Sequence, residues 1–235
     1  MEFITGGNEG CSGCSAPQTQ TSCNHCGACC TGGGPVLRTQ DERLIKTGKL
    51  DLSVLYTQRA GELMFNKDTM KMEALGTDQV KIKVDPETLR CLFLDSENQC
   101  DIYSQRPFEC RSFKCWDERE IEEVYASDEP LCREDIIGGI KGLWDLVSDH
   151  HERCSYKTLG ELIREADFRQ DQDAMAKVCE MIAYDRSLRE TLVESGRVKP
   201  EILDFLFGRP LSTTIVMFNY RLEHNDGTDT LVPVA

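Results

Sequence analysis

The stretch Cys23-Asn24-His25-Cys26-Gly27-Ala28-Cys29-Cys30 puts four thiols within eight residues, spaced C-x2-C-x2-C-C. A two-residue gap lets the backbone curl so that successive sulfurs point into one small volume. Gly27 and the Gly32-Gly33-Gly34 run supply the unhindered backbone that such a loop needs. Thiolates converging in this way repel one another unless a cation lies between them. The chemistry indicated is therefore binding of zinc or of an iron–sulfur cluster. Spacing alone does not name the metal.

Further thiols follow. Cys91-Leu92-Phe93-Leu94 reads as a strand, Asp95 to Gln99 as a polar turn, and Cys100-Asp101-Ile102-Tyr103 as a returning strand. Paired as a hairpin, the two bring Cys91 and Cys100 together. Pro107 suits the first position of a short helix that aims Cys110 back toward this hairpin. Arg106 and Arg111 either neutralise a polythiolate centre, hydrogen-bond to carboxylates near it, or form ordinary surface ion pairs.

In this order, the Cys23–Cys30 cluster, Cys91-Leu-Phe-Leu and Cys100-x-Ile-Tyr-x-x-Arg-Pro-x-x-Cys110-Arg-x-Phe resemble the YkgJ-type cysteine-cluster family, described as a zinc- or iron-chelating domain. The resemblance covers roughly residues 23–115. It implies that Cys23, Cys26, Cys29, Cys30, Cys91, Cys100 and Cys110 are the positions matching the family's cysteines, and Cys115, outside the aligned part, joins them as a candidate ligand. Some relatives carry names linked to lysine N-methylation of flagellin. No glycine-rich methyl-donor loop is visible here, so the resemblance carries over the metal centre and not that activity.

Seven or eight thiols exceed the four that one tetrahedral zinc or one cubane requires. Either two centres exist or some thiols are spectators. C-x2-C-x2-C with a remote fourth cysteine is the arrangement expected of a [4Fe–4S] ligand set, whereas C-x2-C with two distant cysteines suits zinc. The tight vicinal cluster favours [4Fe–4S], with zinc as the alternative. His25 either points outward, the usual orientation beside a ligand, or supplies a nitrogen ligand. A radical S-adenosylmethionine motif fails, because Gly33 stands where its third cysteine belongs. A thioredoxin-like reading of Cys26 and Cys29 lacks its βαβ surroundings. Cys11 and Cys14 form another C-x2-C pair, either a second clip or a pair with no ligand role. Cys179 reads as a core residue; Cys132 and Cys154 flank a helix and either pack in the core or close a second site; His150 and His151 read as charges complementing a helix end, with Cys–His nucleophilic catalysis as the alternative. The sequence leaves any catalytic residue unassigned.

The positioning elements predict an α+β fold: a small cysteine-rich, metal-centred module with a short hairpin, packed against a mainly helical carboxy-terminal part. Residues 1–22 read as a flexible arm, 23–118 as the metal module, and 119–235 as a helical region of the same domain. Helices are expected over residues 40–46, 52–65, 117–126, 134–152, 173–184, 188–195 and 201–207, with Thr158 capping another. Val80 to Val84 alternates as a strand, and residues 213–222 read as β-rich before a polar tail.

A formal charge of −14 excludes a nucleic-acid backbone or an anionic membrane as the main partner. No apolar run approaches the roughly 20 residues needed to span a bilayer, and Met1 to Gly10 contains no secretory apolar segment. The expectation is a cytoplasmic protein, in which clustered thiols mean metal or redox chemistry rather than disulfides. Three functions remain open: electron transfer or an accessory role to a redox or modification system, with a protein partner; an enzyme using the cluster directly; and a structural zinc protein that binds a partner.

Overall fold

A computed structural model describes residues 21–66, 69–127, 129–225 and 228–234. The Cys11/Cys14 pair lies outside the described residues. The chain folds as two compact units, each assembled from two segments. One joins the segment ending at Lys49 to Ile82–Pro130; the other joins Leu50–Lys81 to the segment beginning at Leu131.

The first unit has little regular structure. A 3-10 turn at Thr39–Asp41 leads into α1 (Glu42–Lys46), and α2 (Phe108–Ser112) and α3 (Arg119–Ser127) complete its α-helices among the described residues. Leu37, Leu94, Ile121 and Val124 are buried in it. Two carboxylates hold the pieces in register. Asp41, fully buried, accepts from the amides of Arg38 (3.0 Å) and Phe108 (2.8 Å), so the start of α1 fixes the start of α2. Glu109 accepts from the Val36 amide (3.0 Å) and the Tyr125 hydroxyl (3.2 Å), tying α2 to the chain before α1 and to α3. Pro107 is the residue before α2 rather than its first.

In the second unit β1 (Leu55–Gln58) pairs with β4 (Gln79–Ile82), while β2 (Leu63–Asn66) pairs antiparallel with β3 (Lys71–Ala74). Helices α4 (Arg133–Ile137), α5 (Lys141–Arg153), α6 (Tyr156–Arg169), α7 (Gln172–Glu194), α8 (Leu203–Phe207) and α9 (Leu211–Thr214) follow. Strands β5 (Tyr220–Asn225) and β6 (Thr228–Pro233) close it as an antiparallel ribbon. Cys154, Tyr156, Leu159, Ile163, Val178, Ile182, Leu211 and Ile215 form its packed core. The fold is thus α+β, with a cysteine-rich amino-terminal part, small two-stranded pieces and a mainly helical carboxy-terminal part. Among the described residues no helix is long and apolar enough to cross a membrane.

Several expected elements differ. Residues 52–65 are not a helix: Thr57, Gln58, Arg59 and Glu62 are buried alongside Leu55. One helical face cannot bury such a consecutive run, whereas a paired strand can. The single helix expected over 134–152 breaks into α4 and α5 around Gly138 and Gly139, and Ile140 is left exposed. The two helices expected over 173–195 are one, capped by Asp171, whose side chain accepts from the amides of Asp173 and Ala174. Ser155, not Thr158, caps α6. Residues 211–218 are helical turns, and the expected polar tail is β6. Cys91 bridges to Val84 and Cys100 to Leu94, so the two cysteines are not strand partners of one another.

Candidate metal centre

The amino-terminal loop reverses at Gly27, whose φ of +76° lies in the left-handed region that glycine tolerates. A Cβ there would stand 2.9 Å from Asn98 Oδ1, so the loop sits directly against the turn before Cys100. Ala28–Cys30 then forms a 3-10 turn, closed by the Cys30 amide donating to the Gly27 carbonyl (2.9 Å). The Cys91 amide donates to the Cys30 carbonyl at 2.7 Å, which joins the first cysteine segment to the second. Gly34 permits the exit: a Cβ would lie 2.1 Å from the Ile82 carbonyl oxygen.

Cys91 and Cys100 occupy a loop shaped by carboxylates. Asp85 Oδ1 accepts from the Glu87 and Thr88 amides, and Asp95 Oδ1 accepts from those of Glu97 and Gln99. Cys110 lies in the middle of α2, held through Asp41 and Glu109 as above. A shared local device recurs at three sulfurs. The amide two residues on faces Cys23 (from His25, 3.4 Å), Cys91 (from Phe93) and Cys100 (from Ile102). An N–H aimed at sulfur favours the thiolate, the form that binds metal.

Cys29, Cys30, Cys91, Cys100 and Cys110 are near enough for their charges to act on one another. Cys29 Sγ and Cys30 Sγ are 3.8 Å apart. This hydrogen bond, followed by burial and the Cys30 charge, pushes the Cys29 thiol far up; the same bond holds Cys30 down despite its burial. Burial first, then the neighbouring thiols, raises Cys110 well beyond the usual thiol range, and burial raises Cys91 and Cys100. Such a group of sulfurs is stable as thiolates only when a cation compensates them, so the donor set fits a metal. Cys26, Cys29 and Cys115 are exposed, and Cys23 is half-buried.

Among the described residues, the set of three or more metal-type side chains with ligand atoms all within 4.8 Å of one another is His150, Cys154 and Asp185, in the second unit. The spacing of Val147, His150 and Cys154 along one helical face was the signal for it. His150 and Cys154 are fully buried. Asp185 Oδ1 accepts from His150 Nε2 (2.7 Å) and Arg189 Nε (2.9 Å), and its Oδ2 from the Leu211 amide (2.9 Å). These hydrogen bonds already engage both carboxylate oxygens. Burial lowers the His150 pKa to about 4 and raises that of the Cys154 thiol to about 12. His150 is therefore a neutral core residue joining α5 to α7, not a charged complement to a helix end. Its neighbour His151 faces Arg133 Nη2 across 3.3 Å and is likewise lowered by burial.

Residues 22–133 match the family model CxxCxxCC, described as "Putative zinc- or iron-chelating domain". That span thus carries a CxxCxxCC domain. The matched span contains Cys23 through Cys115 and ends just after Cys132; Cys154, Cys179 and His150 lie beyond the CxxCxxCC domain. No curated protein and no solved structure matches the chain.

Proposed function

We propose that the CxxCxxCC domain holds an iron–sulfur cluster on cysteines drawn from Cys23, Cys26, Cys29, Cys30, Cys91, Cys100, Cys110 and Cys115. In this reading it serves electron transfer, or acts as an accessory factor to a redox or modification system. The carrying observation is that remote cysteine segments meet the C-x2-C-x2-C run. The Cys91 amide donates to the Cys30 carbonyl at 2.7 Å, and Cys29, Cys30, Cys91, Cys100 and Cys110 influence one another electrostatically. C-x2-C-x2-C joined by a remote fourth cysteine is the arrangement of a [4Fe–4S] ligand set. The exposure of Cys26 leaves a side of the centre open to a protein partner, as electron exchange requires.

One observation favours a second reading. The 3.8 Å between Cys29 Sγ and Cys30 Sγ matches the bite of one tetrahedral ion, and so supports zinc at that pair. Protein purified without oxygen and analysed for iron, acid-labile sulfide and zinc separates the two. Iron and sulfide in equal amounts, with a paramagnetic signal on reduction, support the cluster. Stoichiometric zinc without sulfide overturns it.

A further inference from the structure

The cysteine segments are joined on one side by a stack of three side chains that metal ligation does not account for. The His25 ring lies 4.9 Å from the Tyr103 ring, centroid to centroid. The Arg106 guanidinium sits 3.7 Å over the other partner of that pair, the Tyr103 ring, and its Nε donates to the Tyr103 carbonyl at 3.0 Å. Each member is tied to a thiol-bearing segment. The His25 amide donates to Cys23 Sγ, and the Tyr103 amide donates to the Cys100 carbonyl at 3.0 Å. Among the described residues no carboxylate forms an ion pair with Arg106. Arg38, Arg133, Arg189 and Arg209, by contrast, each pair with an acid. Among the described residues Arg59 and Arg90 form no carboxylate ion pair either; what sets Arg106 apart is its hold on Tyr103, between the segments that carry Cys23 and Cys100.

The geometry points to Arg106 as the positioned counter-cation of the thiolate centre, with Tyr103 and His25 as the platform that holds it there. Its charge acts on both Cys29 and Cys100, in the sense that favours their thiolates. A fixed positive charge beside a polythiolate centre stabilises the more negative of its states, which raises both metal retention and reduction potential. Planar stacking on Tyr103 selects arginine for the geometry. This inference rests on metal binding at these cysteines but not on the metal's identity.

The test compares full-length wild type with Arg106→Gln, Arg106→Lys and Arg119→Gln, the last removing the same charge from an exposed arginine paired to Asp117. Two readouts are taken: metal retained against a competing chelator at equilibrium, and, where iron is present, the midpoint potential. Arg106→Gln is expected to lose metal about tenfold more readily, the effect typical of an outer-shell partner, and to titrate at a more negative potential. Arg106→Lys, which keeps the charge but not the planar stack, should recover part of both, Arg119→Gln should match wild type, and added salt should narrow the gap. Arg106→Gln behaving as wild type, or Arg106→Lys as impaired as Arg106→Gln, overturns the assignment. If the protein carries zinc alone, the cluster reading fails, and the chelator readout still decides the role of Arg106.

Discussion

At the scale of single residues, the tightest constraint near the thiols is a glycine rather than a cysteine. Adding a methyl at Gly34 meets the Ile82 carbonyl oxygen at 2.1 Å, while Gly32 has nothing within 4 Å. Gly34→Ala must therefore shift the backbone between the two cysteine segments, costing roughly 1–3 kcal/mol or more, whereas Gly32→Ala should be close to neutral. Urea unfolding and metal content of the two variants check this; equal behaviour would contradict the close approach. The cysteines themselves sort in the same manner. Cys30→Ser should lower bound metal, and Cys179→Ser, beyond the CxxCxxCC domain, should leave it unchanged, as elemental analysis of each purified variant will show. The thiols are legible in the sequence because cysteines repeated at two-residue gaps converge their sulfurs, and convergent sulfurs call for a cation. His150 was hidden, since its neighbourhood in the chain reads as a polar helix end, although Val147, His150 and Cys154 share one helical face.

Among elements, what positions Cys110 is a buried carboxylate on a different helix segment. Asp41 receives the Phe108 amide and the Arg38 amide, and burial raises its pKa even against those hydrogen bonds. Asp41→Ala leaves two buried donors unpaired and should cost roughly 2–4 kcal/mol. It should also loosen α2 and reduce metal retention. Amide exchange across Phe108–Ser112 measures the first effect and a chelator titration the second; unchanged protection of α2 would rule out the anchoring role. The sequence placed α1 and α2 within a residue or two, yet it could not show that one carboxylate serves both. That partnership spans residues 41 and 108, far beyond any periodic pattern. Strands β1 and β2 are not legible for a related reason: Thr57 and Gln58 of β1, and Arg59 and Glu62 in the turn between the strands, are buried yet of polar types that sequence patterning assigns to solvent. Such residues are buried here because tertiary partners satisfy them, as when the Thr57 hydroxyl donates to the Phe205 carbonyl at 2.6 Å.

For the molecule as a whole, the two units should respond differently to acid. In the second unit His150 has a folded pKa of about 4, lowered first by burial, against about 6.5 when unfolded. Between these values the unfolded chain binds a proton that the folded chain refuses. Stability is therefore full above about pH 6.5 and falls progressively toward pH 4, by roughly 3 kcal/mol if no other group intervened. Asp185 acts in a lower window. Although burial pushes its carboxyl up, the His150 hydrogen bond and Arg189 hold it below the ordinary range. Its contribution is thus present above the unfolded carboxylate pKa and lost only in stronger acid. In the first unit the same acidification works through metal: protons compete with the ion for the thiolates, so retention weakens even where the protein part remains folded. Amide exchange followed separately in α5 and α7, from pH 7 to pH 4.5, should show protection declining in the wild type and a flatter profile in His150→Gln. Protection that is level across this range in the wild type would mean that His150 is already protonated in the folded unit, paired as a cation with Asp185.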